Sequence, residues 1–187
     1  QRRILDRLLY QLKPHPCAHG FVPGRSVLTH ARHHTKKRWV VGLDIRRFFD
    51  ETNEAAAASV FGRLYGVTAE EVELLCKLCC LDDGLPQGAP TSPCIANLYF
   101  EPADVALLAY AKGHGLRYSR YADDLALSGA KVPEDLFDTV ATICASLGYT
   151  LVDRKTRVLG SGIRQVVTGL VVNQGLSAPR SLRRRLR

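Results

Sequence analysis

Apolar residues are densest between positions 39 and 45, where the chain reads WVVGLDI. A continuous apolar run of this length is typical of a strand that is buried on both faces. Asp44 stands near the end of the run and is soon followed by Phe48 and Phe49. A buried carboxylate costs free energy unless a cation or metal ion compensates it. Asp44 is therefore a candidate functional residue, and the alternative is an ordinary residue at a strand end.

Helical periodicity and capping residues predict the helices of the chain. Apolar residues recur at helical spacing over residues 1–13, and Pro14 should end that helix. Ser26, Asn53 (or Thr52) and Thr68 are suitable N-caps for the helices that follow. The expected helices cover residues 1–13, 26 to 33 or 34, 53 to about 65, 68 to about 80, 91 or 92 to 112, and 133–147.

Strand patterns dominate the second half of the chain. Residues 118–121 and 125–128 are two short strand-like runs that only a tight hairpin can join. Three further strands are expected at residues 149–152, 156–159 and 165–172. Because helices and strands do not alternate in regular βαβ units, the fold class is predicted to be α+β.

The hairpin turn carries adjacent aspartates, Asp123 and Asp124. Aspartate is common in turns, so the pair alone does not decide the function. If the hairpin packs beside the strand of Asp44, however, three carboxylates converge and repel one another unless cations are present. Magnesium ions with oxygen ligands are the usual solution where phosphates are also bound. Two such ions can stabilise the attacking and leaving oxygens of a phosphoryl displacement.

The charge of the chain favours a polyanionic partner. The 187 residues carry a formal net charge of +8, and basic residues cluster at positions 33–38 and 180–187. Nucleic acid is the first candidate partner, and the alternative is a surface of solvated charges. No apolar run is long enough to cross a bilayer, so no membrane partner is expected.

The sequence contains six cysteines and no methionine. Cys76, Cys79 and Cys80 lack a second ligand pair at matching spacing, which favours buried reduced thiols over a zinc site. Reduced thiols fit a cytoplasmic location. Since the chain has no methionine and starts at Gln1, we expect it to be a segment of a longer protein.

Three further features could contact phosphates. Residues 87–93 run from a Gly- and Pro-rich loop into a helix N-terminus, where free amides favour anions. Arg25 follows Pro23-Gly24 and could hold a phosphate with two nitrogens, and Lys155 follows a predicted strand. Each of these is a weak signal alone, because surface arginines and lysines and polar helix starts are common.

Taken together and in order, these segments resemble the conserved blocks of reverse transcriptases. The blocks are HGFVPGRS (19–26), VVGLDIRRFF (40–49), GLPQGAPTSPCIANL (84–98), YADD (121–124) and GYTLVDRKTRV (148–158). A further segment, VTGLVVN (167–173), is similar to one typical of retron reverse transcriptases. The match extends over most of the chain, and ordered blocks are far more specific than a lone YxDD.

The resemblance implies a role for each matching residue of the catalytic centre. Asp44 and Asp123 would hold two Mg²⁺ ions (Mn²⁺ is possible), with Asp124 assisting and the Ile45 carbonyl also facing a metal. Phe49 would block the ribose 2′-hydroxyl, so that dNTPs are preferred over rNTPs. Its alternative is core packing, for which Phe48 is the better candidate.

The resemblance also implies the substrate contacts. Gln87 would contact the incoming nucleotide or the template. Arg25 would grip the triphosphate, and Lys155 would lie near the pyrophosphate leaving group. Tyr121, Ala122 and Gly88 would face the primer and template.

The implied architecture is the fingers and palm of a right-hand polymerase, with an antiparallel palm sheet backed by helices and the thumb largely absent. One catalytic domain would place the fingers at about residues 1–37 and 52–88, the palm at about 38–51 and 89–172, and the thumb connection at 173–187.

The implied activity is RNA-directed DNA synthesis from a DNA or RNA primer with dNTPs. Retron-type synthesis of single-stranded DNA from a structured non-coding RNA, in phage defence and in the bacterial cytoplasm, is the preferred interpretation. The alternatives are a group II intron maturase, another defence or diversity-generating reverse transcriptase, or an inactive nucleic-acid-binding module.

Overall fold

The computed structural model describes residues 1–178 and residue 184. Its centre is a four-stranded antiparallel sheet in the order β2-β3-β1-β4. The strands are β1 (Trp39–Asp44), β2 (Arg117–Tyr121), β3 (Asp124–Gly129) and β4 (Arg157–Gly160). The apolar run at residues 39–45 thus supplies an inner strand, as predicted from its pattern.

Seven α-helices surround this sheet in the described part of the chain. They are α1 (Arg2–Arg7), α2 (Val27–Arg32), α3 (Glu54–Phe61), α4 (Ala69–Cys79), α5 (Ser92–Tyr99), α6 (Glu101–Gly113) and α7 (Leu136–Ala145). The predicted N-caps are confirmed: the Ser26, Asn53 and Thr68 side chains each accept a hydrogen bond from a first-turn backbone amide.

The N-terminal segment is not the single helix that was predicted over residues 1–13. The α-helix ends at Arg7, and a short 3-10 helix, Leu9–Gln11, follows it. Tightening of a final helical turn in this way is common. Because Leu5 and Leu9 are both buried, the two pieces still direct their apolar residues into the core.

The predicted helix from residue 91 or 92 to 112 is also wrong, since it is divided at Phe100 into α5 and α6. Pro102 explains the break, because its ring has no N–H and would clash with the carbonyl of Leu98 in a continuous helix. Pro102 instead occupies the first turn of α6, where a missing N–H costs little.

The structure also corrects three smaller predictions. Helix α3 ends at Phe61 with Gly62 as its C-cap, and so is shorter than the helix predicted to about residue 65. Residues 149–152 form only an isolated bridge, between Leu151 and Ile45. The strand expected over residues 165–172 is a two-stranded hairpin, β5 (Val166–Val167) and β6 (Leu170–Val171).

The two faces of the sheet differ in what covers them. Val41 and Leu43 belong to the main core, where α6 packs against β2 and α7. Val40 and Ala126 point to the other face, where they form a small cluster with Val167 of β5. Since side chains alternate along a strand, Asp44 shares this second, more open face.

No helix of the described residues has the length and apolar character needed to cross a membrane.

Candidate active site

Strand pairing brings the three sequence-predicted aspartates together. Asp44 at the end of β1 stands directly opposite Asp124 at the start of β3. Directly opposed residues in an antiparallel pair have their Cβ atoms about 5 Å apart. The backbone N–H of Ile45 donates to the carbonyl of Asp123 at 2.9 Å, which fixes the turn beside β1. The hairpin therefore packs beside the Asp44 strand, which is the condition on which convergence of the three carboxylates depends.

The environment of Asp123 and Asp124 raises the pKa values of their carboxyl groups. Burial raises the pKa of Asp123, and the charge of Asp44 adds to this effect. Burial and the charges of Asp123 and Asp44 raise the pKa of Asp124 to about 6. Neighbouring carboxylates thus add to the raised pKa values of Asp123 and Asp124, and a divalent cation would relieve this repulsion.

Lys155 lies against the aspartates and forms an ion pair with Asp44. It belongs to a 3-10 helix, Asp153–Lys155, and its Nζ donates to the two carboxylate oxygens of Asp44 at 2.7 and 2.8 Å. The hydrogen bond to Asp44 raises the pKa of the Lys155 ammonium. The turn lysine singled out in the sequence is therefore brought to the centre.

An open cavity of about 710 Å³ borders this centre. Asp44 and Asp123 line one part of it, and Phe49 and Gln87 line another. Its wall also carries basic residues, which are Arg46, Arg47, Arg154 and Lys155. A cavity lined by both carboxylates and several cations can accept a polyanionic ligand together with metal ions.

The two phenylalanines after β1 have different environments. Phe48 is buried in the core, whereas Phe49 is only half-buried and reaches the cavity. The preference for Phe48 as the core residue is thereby confirmed. Phe21 also lies at this site, although it was not predicted from the sequence. It is exposed, and its ring centroid lies 6.3 Å from that of Phe49 and 6.1 Å from that of Tyr121. Its signal was its place in the HGFVPGRS segment.

Gln87 and Gly88 lie in the exposed loop before α5. Gly88 has a φ of +89°, a conformation that a side chain would strain. Both residues line a second cavity of about 480 Å³, which shares Phe49 and Gln87 with the first. The Gln87 loop therefore separates the space beside the aspartates from the space beside Phe21.

Arg25 does not line the aspartate cavity. Its Nη1 lies 3.2 Å from Nε2 of His19. It borders a separate basic cavity, together with Arg32 and Arg117. The structure thus brings Lys155, Phe49 and Gln87 to the aspartates but leaves Arg25 apart from them.

The hairpin turn itself is tightly constrained. Ala122 is buried and has a φ of 53°, which costs a non-glycine residue about 1 kcal/mol or more. A Cβ atom added to Gly20 would lie 2.5 Å from the backbone nitrogen of Ala122. Gly20 of the HGFVPGRS segment therefore allows this segment to pack directly on the hairpin turn. Tyr121, just before the turn, is half-buried.

The basic residues clustered at positions 33–38 differ in their exposure to solvent. Lys36 and Arg38 are exposed, but His34 is fully buried, with Nδ1 2.8 Å from Ser128 Oγ and Nε2 2.8 Å from Ser119 Oγ. Burial lowers the pKa of His34 well below its ordinary value. His34 is therefore a neutral structural residue. The other cluster, 180–187, and most of the expected thumb connection lie outside the described residues.

All six cysteines are free thiols, and only Cys80 among them is not fully buried. Burial raises the pKa of Cys80 to about 12, so this thiol remains protonated and unreactive.

Comparisons with known proteins identify the family of the chain. The family model described as reverse transcriptase (RNA-dependent DNA polymerase) matches residues 1–167. The chain is 34% identical over 173 residues to the retron Ec86 reverse transcriptase of Escherichia coli, covering 91% of this chain and 54% of that protein. It is 37% identical over 206 aligned positions to the retron Mx65 reverse transcriptase of Myxococcus xanthus, covering 100% of this chain and 48% of that protein.

The chain thus spans about half the length of the curated relatives that it matches. A solved structure of a foamy viral protease–reverse transcriptase in complex with an RNA/DNA hybrid has a similar fold. It aligns with a TM-score of 0.52 at 19% identity, over 90% of this chain and 21% of that one. The α+β fold is accordingly the fingers–palm fold, and the chain belongs to the reverse transcriptase family, with retron reverse transcriptases of bacteria among its relatives.

Proposed function

We propose that this chain carries the catalytic centre of an RNA-directed DNA polymerase that extends a primer 3′-hydroxyl with dNTPs. The observation that carries the proposal is the register between β1 and β3, which sets Asp44 opposite Asp124 with Asp123 at the adjoining turn. A protein that only bound nucleic acid would have no need for three mutually repelling carboxylates in one place.

The donor set suits magnesium. Asp44, Asp123 and Asp124 offer carboxylate oxygens, and the Ile45 carbonyl would add one more, so all the donors are the hard oxygen ligands that Mg²⁺ prefers. We assign two Mg²⁺ ions to these residues, with Mn²⁺ as a substitute. When bound, the ions would stabilise charge on the attacking and leaving oxygens.

The remaining cavity residues would position the nucleotide. Lys155 would lie beside the pyrophosphate as a charge stabiliser or proton donor. Phe49 would exclude a 2′-hydroxyl by its bulk, and Gln87 would contact the nucleotide from the loop. Arg25 would have to move from His19 to reach the triphosphate, so its role requires closure of the loop that carries it.

The hairpin and the loop before α5 would hold the nucleic acid. Tyr121 and Ala122 would face the primer terminus, and Gly88 would let backbone approach the template closely. The fingers would comprise about residues 1–37 and 52–88, and the palm about 38–51 and 89–172. The net charge of +8 would favour the template–primer backbone, with binding that weakens as salt rises.

Within the family, we propose retron-type synthesis of single-stranded DNA from a structured non-coding RNA, acting in phage defence in the bacterial cytoplasm. The support is the identity to two retron reverse transcriptases over most of this chain. The segment at residues 167–173, which supplies β6 and the second of the two residues of β5, agrees with this choice.

Primer extension with the full-length protein, an RNA template, a DNA primer, dNTPs and Mg²⁺ tests the proposal. Incorporation should fall about 1,000-fold or more in Asp123→Ala, because several kcal/mol of charge stabilisation is lost with the metal. Asp124→Ala should also lose incorporation. Asp138→Asn, an exposed carboxylate of α7, is the matched control and should retain activity. No incorporation by the native protein, or full activity in Asp123→Ala, contradicts the assignment.

A further inference from the structure

A buried arginine lies directly beneath the hairpin turn. Arg120 of β2 has no exposed surface, and neither does Asp104 of α6. Its Nε donates to Asp104 Oδ1 at 3.0 Å and its Nη2 to Asp104 Oδ2 at 2.6 Å. The hydroxyl of Tyr118 also donates to Asp104 Oδ1, at 2.7 Å. The guanidinium is therefore held by a two-point ion pair that fixes its orientation as well as its charge.

Burial of this ion pair costs free energy, because both charges lose their contact with water. Burial disfavours the charge on Arg120, but Asp104 more than offsets it, so the pKa of the guanidinium lies above its ordinary value. Buried ion pairs can often be replaced by apolar residues of similar volume without loss of stability. A role for Arg120 should therefore be sought in what else its guanidinium contacts.

The third nitrogen of the guanidinium connects the ion pair to the turn. Nη1 donates to the carbonyl of Ala122 at 3.1 Å and to Oδ1 of Asn97 at 2.9 Å. The amide of Asn97 in turn donates to the carbonyl of Gly20 at 2.8 Å. Gly20 is the residue whose backbone packs against Ala122. One buried network thus reaches both sides of the residue that precedes Asp123.

Ala122 needs such support because of its backbone conformation. Its φ of 53° is unfavourable for alanine and persists only where the surroundings enforce it. Arg120 binds its carbonyl, Gly20 packs against its nitrogen, and the Ile45 amide binds the next carbonyl, that of Asp123. Of these three contacts, only that of Arg120 is made by a side chain. Removal of the guanidinium would therefore take away this support of the turn.

We propose that Arg120, oriented by Asp104, is a positioning residue that fixes the Ala122–Asp123 turn and thereby sets the metal affinity of the aspartate centre. The proposal rests on the function proposed above, because it concerns the ions that the same centre would hold. Asn97 extends the network to Gly20 and so couples the position of the HGFVPGRS segment to that of the turn.

A different role for Asp104 is less consistent with its contacts. One ligand atom from each of His15, Cys17 and Asp104 lies within 4.8 Å of the others, a spacing that could suit a metal ion. Both oxygens of Asp104 are already bound by Arg120, however, and the guanidinium would repel a cation. Burial and the charge of Asp104 also raise the pKa of the Cys17 thiol, which opposes formation of a thiolate ligand.

The test measures metal dependence in Arg120→Lys and Asp104→Asn. Lysine retains the positive charge but cannot contact Asp104, Asn97 and Ala122 at once. The half-saturating Mg²⁺ concentration for primer extension should rise at least about fivefold in both variants, with much of the lost rate recovered at high Mg²⁺. Val140→Ala, a core variant of α7, should lower thermal stability without shifting the Mg²⁺ midpoint.

A second arm needs no turnover. Mn²⁺ titration followed by electron paramagnetic resonance should show weaker binding in Arg120→Lys than in the native protein or in Val140→Ala. If the two charge variants do not fold, Tyr118→Phe removes a single hydrogen bond to Asp104 and should shift the midpoint in the same direction by a smaller factor.

The outcomes separate this proposal from the polymerase function. If the native protein extends primers and the folded variants keep the native Mg²⁺ midpoint, Arg120 has no positioning role and the polymerase assignment stands. If the native protein does not incorporate dNTPs but Mn²⁺ affinity falls in Arg120→Lys and not in Val140→Ala, the positioning role stands and the polymerase assignment fails. Unchanged Mn²⁺ affinity in every folded variant overturns the positioning role.

Discussion

The ammonium of Lys155 contacts both carboxylate oxygens of Asp44, at 2.7 and 2.8 Å, across 111 positions of sequence. Because this contact places a positive charge on the most buried of the three aspartates, it partly neutralises the centre. Lys155 can also reach a phosphate in the same cavity, since it lines the wall that Asp44 and Asp123 share.

Lys155→Ala should reduce the rate of nucleotide incorporation at saturating dNTP by about 100-fold, the effect typical of a lost general acid. The half-saturating Mg²⁺ concentration should not rise, because removal of a cation leaves the aspartates more attractive to metal ions. Single-turnover primer extension across a Mg²⁺ series measures both quantities. Lys131→Ala, at an exposed lysine, should behave as the native protein does. A raised Mg²⁺ midpoint in Lys155→Ala would show that the lysine mainly supports the metal centre.

Gly20→Ala should damage both stability and activity. The new Cβ would lie 2.5 Å from the nitrogen of Ala122, so the turn or the HGFVPGRS segment must move. Overpacking of this kind costs roughly 1–3 kcal/mol, a fall in Tm of several degrees for a chain of this length. Calorimetry and primer extension measure the two effects.

Gly113→Ala is the matched control for Gly20→Ala. No atom lies within 4 Å of its added Cβ, and the residue is helical. Alanine is favoured over glycine in a helix by up to about 1 kcal/mol, so stability should be unchanged or higher. Equal losses in the two variants would show that close packing on the turn is not the cause.

Phe49→Val should relax the choice of sugar. The half-buried ring borders the cavity of the aspartates, and a smaller side chain there leaves room for a 2′-hydroxyl. The ratio of kcat/KM for dNTP to that for rNTP should fall by at least about tenfold. Phe48→Leu, a change inside the core, should lower stability but keep the native ratio. An unaltered ratio in Phe49→Val removes Phe49 from this role.

The protein should lose stability as the pH falls from about 6.5 to 4. Burial lowers the pKa of His30 to about 4, while the unfolded chain binds a proton near pH 6.5. The unfolded state therefore holds more protons in this range, and His30 alone should cost roughly 3 kcal/mol of stability by its lower end. Denaturant unfolding at several pH values measures the slope of the unfolding free energy against pH.

The control compares two histidine variants. His30→Gln should reduce this slope, whereas His114→Gln, at an exposed position, should not. Equal slopes in the two variants would refute the assignment.

Local sequence patterns were enough to locate the aspartate centre. Asp44 interrupts an apolar run, and Asp123 and Asp124 stand between two short strand patterns, so each could be recognised within a few residues. Their convergence needed only one assumption, that the hairpin pairs with β1, and the register confirms it. Capping residues such as Ser26 and Thr68 were also readable, because a cap acts within its own first turn.

Contacts between residues that are far apart in the sequence could not be predicted from local patterns. The contact between Lys155 and Asp44, and the network of Arg120, Asp104 and Asn97, join residues from separate elements. A charged residue inside the strand of the YADD hairpin was a signal for Arg120, but its partner could not be identified. His34 illustrates the reverse error, since a basic run in sequence contained a residue that the fold buries.

The order of strands in the sheet has a consequence for synthesis of the protein. The inner strand β1 ends at residue 44, but its partners β3 and β4 end only at residues 129 and 160. Pairings between such distant segments must wait for the intervening chain, which makes them slow to form. A nascent chain on the ribosome therefore exposes Asp44 long before the hairpin aspartates and Lys155 exist. The proposed catalytic centre would therefore be complete only after nearly the whole of the described chain has been translated.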